Sequence, residues 1–173
     1  MRPAGRIVSG VIFPTFADAD LQHAFELAVS GAFCGAADLG ELAATAARIA
    51  DGDADAWVLQ WTATAGAAWA AAHQAEAAGR GVTACGHYLH AATAYATALP
   101  AVGRSSEPER HLDLWRRQRT CWDRAVVLFD PPAQGLALPY EDTTLPASFF
   151  PAPDAAPGDR RATVIISHGG DGP

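Results

Sequence analysis

The sequence predicts an α+β chain, about five helices followed by three strands. Three observations carry that prediction. Apolar residues recur at helical spacing as far as residue 131. Beyond it, prolines, threonines and short alternating runs replace that period. Near the end, the apolar run 162–167 opens into the glycine cluster of "SHGGDG", as a buried strand does when it enters a loop shaped by backbone. The change of character divides the chain into residues 1–131 and 132–173.

The elements follow in order. The opening "GRIVSGVIF" has the look of a signal peptide, but its apolar run is short, broken by Ser9 and Gly10, and has no clear cleavage site. "DADLQHAFELAVSGAF" reads as a first helix capped by Asp18 or Asp20, with Leu21, Phe25, Ala28 and Val29 inward and Gly31 and Gly35 as stops. "DLGELAATAARIADGD" is a second, with Leu39, Leu42, Ala46 and Ile49 inward. A third follows "DGDAD" and carries Trp57, Trp61, Ala65, Ala68 or Trp69, and Ala72 on one stripe. A fourth spans about 82–98 with Tyr88, Leu89, Ala92 and Tyr95 inward, and Leu99 following on the same stripe. A fifth begins near Ser106, where Glu109 suits a capping box. Its expected inward face is Leu112, Trp115, Trp122, Val126 and Phe129. Alanine-rich and aromatic helices joined by short Gly-containing turns predict packed helical hairpins. The third and fourth loosely resemble a tetratricopeptide hairpin, without a fixed period.

After residue 131, "QGLALPYEDTTLPASFFPAP" reads as two strands around "EDTT". Leu136, Leu138 and Tyr140 alternate in one, and Leu145, Ala147 and Phe149 in the other. "PAPDAAPGD" is a loop, and "ATVIISHGG" a third strand whose Val164-Ile165-Ile166 run suits burial on both faces.

Composition excludes several functions. Half the residues are hydrophobic, so a core can form. The net charge of -7 argues against nucleic acid, since phosphate binding needs a basic face. All twelve basic residues are arginine, lysine and asparagine are absent, and the bias reads as GC-rich bacterial coding. Cys34, Cys85 and Cys121 are odd in number and far apart, which suits reduced thiols in a cytoplasmic protein. No segment makes a convincing membrane span: the alanine-rich third helix is interrupted by Gln60, Thr62, Thr64, His73 and Gln74.

The polar clusters read structurally. Asp51, Asp53 and Asp55 alternate as in half a calcium loop, but Ala56 and Thr62 stand where glycine and glutamate are needed, so helix capping by Asp53 or Asp55 is the expectation. His87 and His90, with His73 on the preceding helix, have only Glu76 as a nearby carboxylate, and neither metal nor cofactor is expected. In "WRRQRTCWDR" a solvated face is expected, with Arg119 interrupting the apolar stripe, Arg116, Arg117 and Arg124 flanking it, and Asp113–Arg117 and Asp123 pairing locally.

The order of helices, a "LPYEDTTLPASFFPAP" hairpin and a strand ending in "HGGDG" resembles the dipeptidyl aminopeptidase/acylaminoacyl-peptidase-like branch of the α/β-hydrolase fold. Within it, the chain is similar to the group containing dihydroxypseudooxynicotine hydrolase and the fermentation–respiration switch esterases. The matching residues are Pro139, Leu145, Pro146, Phe149, Pro151, Gly169, Gly170, Asp171 and Gly172, more loosely "AGRGVTACGHYLHAATAYATA" in the helical part, and Ala147 departs where glycine is expected. The resemblance implies an N-terminal helical cap followed by the first three strands of the hydrolase sheet. It implies backbone N–H groups around Gly170 and Asp171 as oxyanion donors, in a loop shaped by His168, Gly169 and Gly172. It also implies Trp57, Trp61, Tyr88 and Tyr95 as residues that could line a cap pocket, beside their reading as core. Its substrate would be a small molecule with an ester, amide or activated C–C bond beside a carbonyl. No Gly-x-Ser-x-Gly occurs in these 173 residues, and the acid and histidine of the triad would follow that elbow. The expectation is therefore the N-terminal portion of a serine hydrolase, inactive alone. The rival reading is a non-catalytic helical module whose C-terminal strands pair with a partner.

Overall fold

The computed structural model describes residues 16–154 and 158–167. Five α-helices come first: α1 (Ala19–Gly31), α2 (Leu39–Ala46), α3 (Ala54–Ala77), α4 (Gly81–Val102) and α5 (His111–Val126). Two antiparallel strands follow, β1 (Gln134–Tyr140) and β2 (Thr143–Phe149). The expected α+β class, a helical part followed by a partial sheet, is what forms. The N-terminal "GRIVSGVIF" lies outside the described residues.

Acidic side chains start the helices. Asp18 accepts the N–H groups of Asp20 and Leu21, both at 3.1 Å, and so caps α1. Asp38 does the same for α2 through Glu41 N at 2.8 Å, and Asp53 for α3 through Ala56 N at 2.8 Å. The alternate aspartates of "DGDADAW" thus divide three tasks. Asp51 accepts the N–H of Ala17 at 3.0 Å, Asp53 caps α3, and Asp55 takes both the N–H (2.7 Å) and the hydroxyl (2.9 Å) of Ser106. The last pair corrects the expected capping box at α5. Ser106 is spent on Asp55, a 3₁₀ turn (Pro108–Arg110) intervenes, and α5 starts at His111 without a side-chain cap.

α3 and α4 are long and antiparallel, joined by a tight turn in which Gly79 takes φ 71°. Their interface is built from alanine. Ala65, Ala68, Ala72 and Ala75 of α3 and Ala84, Ala91, Ala94 and Ala98 of α4 are all buried. Small side chains let the two backbones approach closely and lose no rotamer freedom on burial. Large rings fill the space at the Trp57 end. Phe16 packs edge-on against Trp57 (5.0 Å) and Phe25 (5.9 Å), and Trp57 lies 5.6 Å from Trp61. Trp57 Nε1 donates to the Thr97 carbonyl at 2.7 Å, tying α3 to α4, whereas Trp61 Nε1 is buried without a partner. The hydroxyls of Thr45 and Thr64, both buried, satisfy each other at 2.8 Å and fasten α2 to α3.

α4 is the central helix, packed against α3, α5 and α1. α5 rests on it through Leu114, Cys121, Ala125 and Val126. That corrects the expected inward face. Leu112 and Trp115 are exposed, because the seam selects Leu114 and the small residues Cys121 and Ala125, one position away from the larger side chains.

The β1–β2 hairpin turns through Glu141 and Asp142, with Glu141 at φ 49°. Its register sets Leu136 opposite Ala147, Leu138 opposite Leu145, and Gln134 opposite Phe149. Opposed residues share a face, so the predicted alternation holds and gathers the apolar side chains on one side. Phe150, just past β2, touches the helices, 6.3 Å from Trp122 and 5.9 Å from Phe129. The expected third strand does not form a ladder. Residues 162–167 have no strand beside them among the described residues, and Ile165 is 93% exposed rather than buried on both faces. An apolar run becomes a strand only where a neighbour accepts its backbone hydrogen bonds.

Two predictions follow from this packing. Trp57→Phe should cost about 1–2 kcal/mol more than Trp61→Phe in denaturant unfolding, because only the former breaks a made hydrogen bond. Asp18, through Arg104 at 2.7 Å and its cap bonds, and Asp55, through Ser106, are both held below the ordinary value of 3.8. A lowered folded pKa contributes stability that is present above 3.8 and lost as pH falls through the folded value. The Asp18→Asn/Asp55→Asn double variant should therefore be less stable at pH 7 and show a shallower loss on acidification below pH 3.8, read by thermal melts across pH.

Candidate functional site

α1 and α5 both lie on α4, and the space between them stays open. It forms a groove of 1210 Å³. The floor is α4, through Leu89, Ala92, Thr93, Ala96 and Pro100. One wall is α1, with Asp20, His23 and Leu27. The other is α5, with His111, Trp115, Gln118 and Trp122 at helical i, i+4, i+7, i+11 spacing. This α5 stripe alternates polar and aromatic side chains, so it makes a surface that is neither core nor fully solvated. Gln118 Oε1 is shielded from solvent and accepts no hydrogen bond from the protein. Pro100 has no N–H, so the Ala96 carbonyl on the floor lacks its usual helical donor. The floor hydroxyls are spent within the protein: Thr93 donates to Ala36 O at 2.7 Å and Thr97 to Thr93 O at 2.8 Å.

The aromatic residues named from the sequence lie elsewhere. Trp57, Trp61 and Tyr95 are buried in the main core. Tyr88 sits in a second buried cluster with Ala72, Ala75, Ala84 and Ala125. None of the four lines the groove. Tyr88 donates its hydroxyl to Glu76, which also meets Arg124 at 3.3 Å. Burial first, and then the Glu76 carboxylate, push the Tyr88 phenol up to about 12. The helical stripe of Trp57 and Trp61 is a core stripe. The groove aromatics are Trp115 and Trp122, and the signal that could have found them is the His-Trp-Gln-Trp stripe, too polar for a core face. His168, Gly169, Gly170, Asp171 and Gly172 lie outside the described residues.

Other chemistry-bearing groups are occupied. His73 packs edge-on against Trp69 at 4.5 Å, while His87 and His90 lie 6.1 Å apart, with His90 Nδ1 3.9 Å from Glu41. Among the described residues, no three of His, Cys, Asp and Glu gather to hold a metal ion. Ser30, Ser105 and Ser106 donate to Leu27 O, Val102 O and Asp55. Burial pushes the Cys85 thiol up and the Cys121 thiol up to about 12, the opposite of what a thiolate nucleophile needs. The arginines of α5 pair as expected, Arg117 with Asp113 at 2.8 Å and Arg119 with Asp123 at 3.3 Å. Arg124 reaches across to Glu76. No helix among the described residues is long and apolar enough to cross a membrane.

Exposure sets thiol reactivity. Cys34 is exposed, Cys85 partly buried and Cys121 buried. A disulfide reagent at pH 8 should modify one thiol rapidly in the folded chain and all three only after denaturation. Fast modification of Cys121 without unfolding would contradict the packing of α5 on α4.

No protein-family model matches the chain. Curated proteins do. It is 31% identical over 137 residues to Hydrolase LUC6 of Fusarium sp, covering 78% of this chain and 33% of that protein. It is likewise 31% identical over 137 residues to 20-hydroxy-prefusarin hydrolase FUS2 of Gibberella moniliformis, covering 78% of this chain and 32% of the relative. The alpha/beta hydrolase psoB of Aspergillus fumigatus is 33% identical over 140 residues, with 78% and 32% covered. These relatives are fungal, and they give no support to the bacterial reading of the composition. The chain spans about a third of the length of the curated relatives it matches. Over most of its own length, this chain is similar to proteins named as hydrolases, one of them an α/β hydrolase.

Proposed function

We propose that the chain is the helical cap-like part, with the first strands, of an α/β-fold serine hydrolase of the dipeptidyl aminopeptidase/acylaminoacyl-peptidase-like branch. One observation carries the reading. A match of 137 residues to hydrolases does not fit within residues 132–173, so most of it lies in the helical part. Residues 1–131 make the cap-like domain and residues 132–173 begin the hydrolase domain. In the whole enzyme, a serine attacks an ester, an amide or a C–C bond beside a carbonyl in a small molecule. Backbone N–H groups around Gly170 and Asp171 stabilise the oxyanion, in the cytoplasm. The chain itself contributes enclosure and oxyanion donors, not the nucleophile.

Two experiments test this. Coding DNA read past the Pro173 codon should continue, in frame or shifted, into a Gly-x-Ser-x-Gly elbow followed by an acid and a histidine; a stop with no such continuation overturns the proposal. The 173-residue chain alone should take no label from a fluorophosphonate serine probe, since no Gly-x-Ser-x-Gly elbow occurs in these residues. Labelling of it would mean that the nucleophile lies within these residues.

A further inference from the structure

We propose that the β1–β2 hairpin is a hinged arm, latched to the helical part by the ring of Phe150, and that it opens away while the helices stay folded. The hairpin is not part of the helical core. No residue of either strand belongs to a buried cluster of the helices. Every residue of β1 is exposed, and in β2 Ala147 alone is half-buried. A two-stranded hairpin by itself is marginal in water, so its position depends on its attachments. Two of these lie at its root. On the way in, Ala133 is buried and donates its N–H to Val126 O at 3.0 Å, which ties the start of the arm to the end of α5. On the way out, Phe150 sets its ring 6.3 Å from Trp122 and 5.9 Å from Phe129. The backbone bond beside the helix end serves as the pivot. The ring contacts are the latch, because they act at short range and are lost once the ring moves. It is a weak latch, with Phe150 still 47% exposed. An opening of 390 Å³ lies beside it, lined by Val82 and Cys85 of α4, Leu128 and Phe129 beyond α5, and Phe150 and Pro151. Space at a contact forfeits the dispersion that would hold it shut. Segments with few buried apolar contacts open locally, at a free energy well below that of global unfolding. Trp122 also lines the α1/α4/α5 groove, so opening the arm strips one contact from a groove wall.

This inference goes beyond the hydrolase reading and stands apart from it, because it concerns motion between described residues alone. An absent serine elbow in the coding DNA would leave it intact.

The test follows a distance across the joint. Spin labels are placed on Cys34 and on Thr144→Cys, both exposed, in a Cys85→Ser background of the 173-residue chain. Pulsed electron paramagnetic resonance reads the distribution of distances, and circular dichroism the melting of the helices. With Phe150 in place, one narrow distance should dominate over a minor, broad component. Phe150→Ala should raise the ratio of broad to narrow component about tenfold and leave the helical melting temperature unchanged. Phe150→Tyr keeps the ring at a half-exposed position and should restore the narrow distance. A broad distribution with Phe150 present, or a narrow one in Phe150→Ala, would overturn the inference. So would failure of Phe150→Tyr to restore the narrow distance, or a helical melting temperature that falls when the latch is removed.

Discussion

Everything in this molecule hangs on the alanine-lined contact between α3 and α4. Two helices of 24 and 22 residues lie against each other through side chains of one carbon. Individually these contribute little, but close backbone approach multiplies dispersion contacts along the whole length at no rotamer cost. The Trp57 indole then fixes the sliding register, because its N–H meets one carbonyl, that of Thr97, and no other. With that pair set, α1, α2 and α5 have a surface of fixed shape to dock on. The groove lies between two of them, α1 and α5, both docked on α4.

The ends of the elements are governed by carboxylates rather than by glycine and proline alone. Asp18 joins the start of α1 to Arg104 beyond the end of α4, and Asp55 joins the start of α3 to Ser106 before α5. Both bonds span long stretches of sequence and close the same end of the bundle. They also place α5, since the segment leading into it is held at Ser106. The geometry of the groove wall is therefore set in part by a carboxylate that never touches the groove.

The helical half was legible because its information is local. Period, cap residues and the short α3–α4 turn are read from neighbours along the chain, and Asp18, Asp53 and the alternation of Leu136, Leu138 and Tyr140 stand as the sequence indicates. What depended on a choice between faces was less legible. α5 carries two stripes one position apart, one with Trp115 and Trp122, the other with Leu114, Cys121 and Ala125. Hydrophobicity favours the first, and packing against an alanine-rich α4 selects the second. Trp57, Trp61, Tyr88 and Tyr95 are buried, in keeping with their reading as core, because large rings are what an alanine interface needs to fill its ends. The third strand was misread for a different reason: Val164, Ile165 and Ile166 carry the composition of a buried strand, but a ladder is a property of two segments, not one.

The division of labour on α5 has an evolutionary consequence. Its attachment residues and its groove residues are separate sets on one helix: His111, Trp115, Gln118 and Trp122 all fall outside the buried residues Leu114, Cys121, Ala125 and Val126. A lineage can exchange one set of four side chains for another and inherit the same scaffold, reshaping the groove without re-solving the folding problem.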